Sequence, residues 1–582
     1  MYQEVRVESL ENLAPQISKR STSVVFVQCA LSSDDNCPTM VMPDSKETNI
    51  RVEGEGFETI GGKHVANVKI ISGSEIIAEA RLKEPPRKFS VHAFMLYTCA
   101  IVGFFCSTCN GFDGSMFNAL LTNDAFKAYY NVGSTGAWAG IVTSMYQIGG
   151  VVALPFVGPA CDEWGRRYGM IIGGAIGCAG VIIQATTRPG HNPVGQFMGG
   201  RFLLGFAVPL MTTAGPLHVI ETAHPAYRGI VTGLYNTFWF VGSILASGVA
   251  RGSVNIGGNT SWMIPVWLQI LFPALILCLA WFLPESPRWL YTRGRQAEAK
   301  KILVKYHGEG NDESIWVSMQ LREYEEYLNM DGGDKRWWDY RSLFKTRSAR
   351  YRLACNCTFA VFAQWAGNGA VDYFIAGVLE SAGVTEQIKK MNINLGKSCM
   401  QLAFAVIGAT FVDKLGRRPM MIYTFSAATF IWLGAITAVA INSNTNSNAS
   451  SQAFVGMVFL FNAVFAFGLT PLQALYPVEV LSFEMRAKGM AFSNFFLTTA
   501  MLVNQFAYPV ALETIKWRLY IVFACWCPVQ AFIVWLFIPE TKNRTLEELD
   551  DIFNAPNPRN ASLTKKKVAS DTHGNIIEVK NM

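Results

Sequence analysis

Twelve apolar runs, separated by short polar segments, dominate the chain between residues 92 and 538. Each run is about 20 residues long, which is enough for a helix to cross the roughly 30 Å hydrocarbon core of a bilayer. The runs form two sets of six: 92–112, 136–160, 168–187, 194–214, 228–250 and 263–283, then 352–377, 390–412, 419–441, 453–475, 487–510 and 517–538. The pattern therefore predicts an all-α membrane protein with twelve transmembrane helices.

The two sets of runs carry the same polar motifs in the same order. Asp162-Glu-Trp-Gly-Arg-Arg167 recurs as Asp413-Lys-Leu-Gly-Arg-Arg418, at an offset of 251 residues (413 − 162). Two further pairs recur at offsets of 258 and 255 residues: Glu221 with Arg228 as Glu479 with Arg486, and Pro284-Glu285 as Pro539-Glu540. Three motifs at nearly one offset predict two copies of one six-helix unit, and the functional site is expected between the copies.

The polar segments divide the chain into five regions. Residues 1–88 form an N-terminal tail to which the sequence assigns no fold, and residues 541–582 form a C-terminal tail. The two six-helix units occupy residues 89–290 and 351–540. The linker between them, 291–350, contains amphipathic patterns over 297–306 and 315–328 that predict short surface helices.

Loop charge predicts the orientation of the chain in the membrane. The paired arginines of the repeated motifs and the basic linker fall on one side, which the positive-inside rule makes the cytoplasmic side. Two glycosylation sequons, at Asn259 and Asn448, fall in short loops on the opposite side. Both tails and the linker are therefore expected in the cytoplasm.

Composition narrows the function. Hydrophobic residues make up 51% of the 582 positions and charged residues only 16%, against a usual quarter or so. The net charge of +6 is carried in loops, so no nucleic-acid partner is expected. The 13 cysteines lie mostly in apolar runs, where packing is their expected role, and the seven histidines form no metal-ligand or nucleophile–base motif. No cofactor, no metal and no enzymatic activity are therefore expected.

Several motifs resemble those of sugar porters of the major facilitator superfamily, over about residues 92–552. The segments 284–290 (PESPRWL) and 539–548 (PETKNRTLEE) are similar to the signatures that end helices 6 and 12 of that family. The two Asp-x-x-Gly-Arg-Arg segments are similar to its loops after helices 2 and 8. The segments 111–114 (GFDG), 364–368 (QWAGN) and 470–479 (TPLQALYPVE) are similar to the fungal lactose permease and cellodextrin transporter branch.

This resemblance implies the major facilitator fold with a cytoplasmic helical linker, and secondary active transport by alternating access. The implied substrate is a sugar, either a disaccharide such as lactose or cellobiose or a hexose, and protons are the implied co-transported partner. The resemblance also implies a monomer in the lipid bilayer of a fungal plasma membrane.

One acid and one base within the apolar runs form a candidate proton-coupling pair. Asp113 ends the first run and Arg201 opens the segment 200–205; an ionisable group at membrane depth is costly unless it is paired or functional. A formed pair favours the charged carboxylate and an open, buried one favours the protonated acid, which would tie proton binding to conformation. In proton-coupled members of the resembled family these positions form such a pair. A static ion pair is the alternative.

The repeated charged motifs are interpreted as a cytoplasmic latch that closes one side of the bundle. Their aspartates suit helix starts, their glycines permit tight turns, and their arginines can pair with acids at neighbouring helix ends. The alternative, surface charge that only sets topology, explains the arginines but not the repeated order. The predicted latch residues are Asp162, Arg166, Arg167, Glu221, Arg228, Glu285, Arg288, Asp413, Arg417, Arg418, Glu479, Arg486 and Glu540.

A sugar site between the halves needs side chains that donate and accept hydrogen bonds, together with aromatic faces. The resemblance implies substrate roles for residues on helices 5, 7 and 11. Gln473, close to Pro471, is a further polar candidate. The candidates are Asn236, Gln364, Asn368, Asp372, Tyr373, Gln473 and Asn494. Hydrogen bonding between helices is the alternative role for each of them.

Several positions depart from the resembled pattern. Ala363 replaces one glutamine of a pair on helix 7, Gly369 replaces an asparagine, and His218 replaces a tyrosine. Asp372 is a second carboxylate within a span, interpreted as a binder of a second proton, as a contact for a cationic or polyhydroxy substrate, or as a core acid.

These departures favour one alternative function, transport of a non-sugar small molecule such as export of a secondary metabolite. A transporter-like nutrient sensor is a third class, against which the short C-terminal tail argues.

Overall fold

The computed structural model describes residues 58–60, 63–65, 83–87, 89–131, 135–188, 192–330, 341–445, 447–482, 485–542, 544, 546–563, 566–570 and 576–581. The chain divides into two compact units: Met1–Ile70 with Val568–Val579, and Ile71–Lys567 with Lys580–Met582. In the first unit β1 (Glu58–Ile60) and β2 (Lys63–Val65) form an antiparallel hairpin. Near the C-terminus β3 (Lys566–Ser570) pairs with β4 (Ile576–Asn581). The helices described below belong to the second unit.

The first half of this unit is a bundle of helices that follows the first six apolar runs. In chain order it contains α1 (Val91–Thr122), α2 (Asp124–Tyr130), α3 (Ala137–Glu163), α4 (Arg166–Ala185), α5 (Pro193–Thr222), α6 (Arg228–Val254), α7 (Thr260–Leu268) and α8 (Leu271–Leu279). Asn123 separates α1 from α2, because its side-chain oxygen accepts hydrogen bonds from the backbone N–H groups of Ala125 and Phe126 and so caps α2.

The linker is helical and lies against one end of this bundle. α9 (Pro287–Thr292) leads from the bundle into the linker, whose helices are α10 (Gln296–Tyr306), α11 (Ile315–Met330) and α12 (Ser342–Lys345). α10 and α11 coincide with the two amphipathic patterns in the sequence. Arg228, the first residue of α6, lies 3.7 Å from Glu323 of α11. This end of the bundle is called the linker side below, and the opposite end the far side.

Residues 83–87 pack against the linker helices. Glu84 Oε2 accepts hydrogen bonds from the Ser314 hydroxyl (2.9 Å) and from the Ile315 N–H (3.0 Å) at the start of α11, where a carboxylate also suits the helix dipole. Trp316 Nε1 donates to the Glu84 carbonyl at 2.9 Å. A cavity of about 280 Å³ lies between this segment, the linker-side end of α1 and the end of α5.

His307, which ends α10, connects the linker to α5. Its Nε2 donates to the Thr222 carbonyl at 2.9 Å, and its Nδ1 accepts from Gln320 Nε2 at 2.6 Å. These two bonds require the neutral ring, and burial lowers the pKa of His307 to about 4. The neutral histidine therefore fixes the linker to the bundle.

The second half repeats the architecture of the first. Its helices are α13 (Arg347–Trp365), α14 (Asn368–Tyr373), α15 (Ile375–Ser381), α16 (Gln387–Leu415), α17 (Arg417–Thr445), α18 (Asn448–Gly468), α19 (Thr470–Val480), α20 (Arg486–Thr514) and α21 (Leu519–Phe537), followed by α22 (Leu546–Asn554) and α23 (Pro558–Leu563).

Ten helical segments among the described residues are long and apolar enough to cross a membrane. The two other predicted spans are α6, a continuous helix of 27 residues, and the run 352–377, which is broken into α13, α14 and α15. Gly367 makes the first break with φ of +101°, and a Cβ there would lie 2.7 Å from a Trp432 ring carbon, so only glycine fits. The predicted all-α membrane fold is confirmed; besides the broken run 352–377, the runs 263–283 and 453–475 are each divided between two helices.

Candidate functional site

A glutamate at the end of each half holds the start of an earlier helix. In the first half Glu285 Oε1 accepts hydrogen bonds from the backbone N–H groups of Arg166 (3.1 Å), Arg167 (3.3 Å) and Ser286 (3.0 Å). The carboxylate thereby satisfies free donors at the start of α4 and lies at the positive end of its dipole. Gly165 has φ of +101°, and a Cβ there would lie 2.6 Å from this carboxylate, which explains the glycine of the motif.

The second half contains the same arrangement at the start of α17. Glu540 accepts from the N–H groups of Arg417 (2.9 Å) and Arg418 (3.1 Å), and from those of the two residues that follow it. Unlike Glu285, it uses both of its carboxylate oxygens. Gly416 precedes α17 with φ of +92°. The repeated order of the motifs in the sequence thus corresponds to a repeated structure.

The first arginine of each motif makes a two-point contact with a glutamate. Arg166 Nε and Nη2 lie 2.9 and 3.2 Å from the two oxygens of Glu221. Arg417 Nε and Nη2 lie 3.0 and 2.6 Å from those of Glu479. Both pairs are largely buried, so removing one partner would leave a buried charge, which costs several times more than breaking a surface ion pair. Each pair joins helices of the same half.

The remaining predicted latch residues surround these two centres. Asp162 Oδ1 lies 3.4 Å from Arg166 Nη1, and Arg418 Nη2 donates to the Trp535 carbonyl at 2.7 Å. Arg288 lies in α9, directly after the Glu285 loop. The side chains of Asp413 and Arg486 lie outside the described part of the structure. That the assembled residues form a latch between the halves stays a prediction.

Asp113 and Arg201 are both buried but engage different partners. Asp113 Oδ1 accepts from Gln269 Nε2 at 3.0 Å, and Oδ2 accepts from the thiol one turn earlier on α1 at 3.5 Å. The Arg201 guanidinium lies 4.8 and 4.9 Å from the ring centroids of Phe117 and Tyr146, and its Nε and Nη1 have no hydrogen-bond partner. No ion pair joins the two residues in the described structure, and that they form a proton-coupling pair stays a prediction.

Polar contacts between the halves line the far side of α6 and α16. From the far end inward they are Arg251 with Asn392 (2.7 Å), Ser247 with Asn394 (3.0 Å) and Ser243 with Ser398 (3.0 Å). Three predicted substrate residues, Asn236 on α6, Gln473 on α19 and Asn494 on α20, are exposed. Asn236 lies on α6 between these contacts and its linker-side start. These contacts join the halves on the far side, while the three exposed residues lie outside them.

The other predicted substrate residues lie at the broken helix. Gln364 and Asn368, on either side of the first break, are buried, and Asn368 Oδ1 has no hydrogen-bond partner. The Tyr373 ring faces α1, where a Cβ on Gly114 would lie 3.8 Å from it. Tyr373 therefore lies at the contact between the halves, and that these three residues bind substrate stays a prediction.

Asn118 of α1, in the first half, makes hydrogen bonds to the backbone of the broken helix in the second half. Asn118 Nδ2 donates to the Asp372 carbonyl at 2.9 Å, and its Oδ1 accepts from the Ile375 N–H at 3.1 Å. Both backbone groups are free to bond in this way because the helix is interrupted between them. One amide therefore joins the halves at the break.

Asp372 has a lysine partner that the sequence reasoning missed. Lys397 Nζ lies 2.9 Å from Asp372 Oδ1, and Gln401 Nε2 donates to the same oxygen at 3.0 Å. The signal was present in the sequence, because Lys397 stands inside the apolar run 390–412 and a buried cation requires a partner. The amides of Asn118 and Gln269 gave a weaker signal, since uncharged amides in spans commonly bond between helices.

No group of three His, Cys, Asp or Glu side chains that could hold a metal ion occurs among the described residues.

The fold and the polar groups between its halves define the class of protein: a multi-pass membrane transporter of the major facilitator type, and not an enzyme. Residues 99–553 match the family described as "Sugar (and other) transporter". The chain belongs to this family.

Individual relatives are similar along most of their length. The high-affinity glucose transporter of Kluyveromyces lactis is 26% identical, over 84% of this chain and 90% of that protein. Myo-inositol transporter 2 of Cryptococcus neoformans var. grubii is 28% identical, over 88% and 91%. Among solved structures, the inward-open form of the xylose transporter XylE from E. coli has a TM-score of 0.65 at 19% identity, over 78% of this chain and 99% of XylE. This last similarity shows the fold.

Proposed function

We propose that the protein imports a neutral, hexose-sized sugar or polyol together with protons by alternating access. The names of the relatives, a glucose transporter and a myo-inositol transporter, favour a single ring over a disaccharide such as lactose or cellobiose. The amide and tyrosine groups at the broken helix suit a substrate with many hydroxyl groups. A single chain holds both halves of the site, so a monomer suffices.

The observation that carries the proton-coupling proposal is the separation of Asp113 from Arg201. Both are buried, Asp113 1% and Arg201 2% exposed, yet each is held by uncharged groups. A buried arginine and a buried carboxylate that are both charged but do not pair raise the free energy of the folded state. This cost is smaller if Asp113 carries a proton and is neutral. Pairing in one conformation and protonation in the other would couple proton movement to transport.

The membrane orientation follows the charge pattern. The linker side carries the repeated arginines, so we assign it to the cytoplasm, with both chain tails, and assign the far side, with Asn259 and Asn448, to the exterior. Both asparagines are exposed, as glycosylation requires. Because the contacts between α6 and α16 join the halves on the far side, we infer that the bundle is open toward the linker side, the state that releases substrate into the cell. The plasma membrane is the proposed location.

The charged clusters at the two helix starts form the proposed latch. In the open state each arginine is satisfied by a glutamate of its own half, at Arg166 and at Arg417. Closing the linker side would bring the two clusters together and exchange some of these contacts for contacts between the halves. The latch residues would then stabilise the outward-facing state.

The test is uptake of labelled glucose, myo-inositol, lactose and cellobiose by transporter-deficient yeast that expresses this chain, at external pH 5 and pH 8. We expect concentrative uptake of glucose or myo-inositol, stronger at pH 5. Asp113→Asn should abolish accumulation and its dependence on pH, because the neutral side chain no longer binds a proton. The matched control is Asp124→Asn, which removes an exposed acid on α2 and should transport like the wild type.

Two results would contradict the proposal. If Asp113→Asn retains the response to pH, proton coupling does not pass through this residue. If none of the four compounds enters although the protein is at the cell surface, the assignment of a sugar or polyol substrate fails, and the alternative of another small molecule takes its place.

A further inference from the structure

Two lysine–carboxylate pairs connect the broken helix to α16. Lys390 Nζ lies 2.6 Å from Glu380 Oε1, and Lys397 Nζ lies 2.9 Å from Asp372 Oδ1. The lysines are seven residues apart, so they lie two turns from each other on one face of α16. Both lysines are only 3% exposed. The two pairs therefore offer an internal comparison between two ion pairs of the same type.

The pairs differ in where their carboxylates lie. Glu380 is 34% exposed and belongs to α15, toward the far side. Asp372 is 14% exposed and belongs to α14, beside the contact that Asn118 makes from the other half. Tyr373, the next residue, faces α1, where a Cβ on Gly114 would lie 3.8 Å from its ring. Asp372 therefore lies at the contact between the halves, next to the predicted substrate residue Tyr373, whereas Glu380 lies further along the chain toward the far side.

The hydrogen bonds of Asp372 occupy only one of its two carboxylate oxygens. The bonds from Lys397 and Gln401 both end on Oδ1. No described residue donates to Oδ2. Since each oxygen of an ionised carboxylate can accept two hydrogen bonds, Asp372 retains accepting capacity on its less enclosed side. Lys397 and Gln401 fix the carboxylate in position and compensate its charge.

Stability alone does not account for such a pair. Removing a lysine and a carboxylate from water is costly, and an apolar pair of similar volume is often as stable. A charged acceptor held rigidly beside a substrate site does have a use. It binds a hydroxyl group more strongly than an amide does, and its free oxygen offers no hydrogen-bond donor to the carboxylate of a sugar acid.

We propose that Asp372, held by Lys397 and Gln401, accepts a hydrogen bond from a substrate hydroxyl group and selects neutral polyhydroxylated substrates against sugar acids. Asp372 would contact the substrate, and Lys397 would act as a positioning residue. This inference rests on the proposed function, because it assumes that the cargo carries hydroxyl groups.

The experiment uses the same yeast uptake assay, with unlabelled competitors against the labelled sugar that the wild type accumulates. The competitors are glucose, glucose analogues deoxygenated at one position each, and glucuronate. In the wild type we expect one deoxy analogue to compete about 10–100-fold less well than glucose, since a hydrogen bond to a charged group is typically worth that factor. In Asp372→Asn this discrimination should shrink several-fold, the half-saturation concentration should rise, and glucuronate should compete better relative to glucose.

Two variants separate substrate contact from a structural role. Asp372→Glu keeps the charge for Lys397 but displaces the oxygens, so it should raise the half-saturation concentration while leaving surface expression intact. Glu380→Gln breaks the other pair and should keep wild-type half-saturation and competition. The uptake ratio between pH 5 and pH 8 should stay at the wild-type value in Asp372→Asn; a loss of that ratio would place Asp372 in proton coupling and overturn the proposal.

Three further outcomes are decisive. If every deoxy analogue and glucuronate compete with the labelled sugar as well as glucose does in the wild type, no such contact exists. Wild-type selectivity in both Asp372 variants would make the pair purely structural. If neither Asp372 variant reaches the surface while Glu380→Gln does, the pair is a folding element and the proposal fails. Failure of the proposed function itself is recognised earlier, as absence of uptake by the wild type.

Discussion

Glu285 and Glu540 each accept backbone hydrogen bonds at a helix start, but they differ in how many carboxylate oxygens they use. This difference allows a test of the assigned hydrogen bonds. Glu285 receives its three backbone N–H donors on Oε1, and its Oε2 has no hydrogen-bond partner. Glu540 receives three donors on Oε1 and a fourth, the Arg418 N–H, on Oε2. Replacement by glutamine converts one oxygen of each carboxylate into an NH₂ group, so the two variants should differ in cost.

In Glu285→Gln the remaining oxygen can take the place of Oε1, and the NH₂ group faces no backbone donor. The expected loss is the charge at the start of α4, about 1 kcal/mol. In Glu540→Gln the NH₂ group faces the Arg418 N–H, which then lacks an acceptor. An unsatisfied, partly buried donor adds about 1–3 kcal/mol, for a total of about 2–4 kcal/mol.

The assay is thermal unfolding of the purified protein in one detergent at neutral pH. If half of the bundle unfolds as a unit, 2 kcal/mol corresponds to a midpoint lowered by roughly 4–8 °C, and the Glu285→Gln shift should be about half of that or less. Equal shifts in the two variants, or a larger shift in Glu285→Gln, would refute the assignment of the bonds to individual oxygens. Glu285→Ala and Glu540→Ala, which remove all acceptors, serve as the upper reference for each site.

Two further predictions concern helix packing and linker docking. Gly205→Ala should sharply reduce the amount of folded protein, because a Cβ there would lie 1.9 Å from the Tyr146 carbonyl oxygen. Gly199→Ala on the same helix should be neutral, because a Cβ there would have no atom within 4 Å. Size-exclusion profiles of a fluorescent fusion measure both variants. The free energy of unfolding should fall as the pH drops from about 6.5 toward 4, because the unfolded chain binds a proton on His307 that the folded linker excludes. The difference in thermal midpoint between pH 7.5 and pH 5 should therefore be smaller in His307→Gln than in the wild type. An unchanged difference would contradict this role of His307.

Hydrophobic pattern and repeated motifs determined most of the architecture. Runs of spanning length leave only helices as a solution in lipid, and motifs repeated at one offset require two similar halves. The helix starts at Arg166 and Arg417 also follow from sequence, since both come directly after the glycine of the motif. Such features depend on neighbours in the chain, which the sequence displays directly.

The sequence prediction of the site named candidate residues but not the partners that hold them. Sequence reasoning placed candidate residues on the broken helix, but it gave no position for the break and no partner for Asp372. It expected Arg201 to be the partner of Asp113, whereas in this conformation the acid bonds to Gln269. Such pairings depend on the rotation of each helix about its axis and on which side of the bundle is open.

The sequence by itself therefore determined the spans, the two-fold repeat, the charged loops and the family. Only the tertiary structure decided that Glu285 and Glu540 hold helix starts, that Lys397 compensates Asp372, and that the halves meet on the far side. The physical reason is the range of the forces concerned. Burial in lipid acts on every residue of a span and leaves a periodic trace, whereas an ion pair or an amide contact between distant helices involves single residues whose separation in the chain carries no signal.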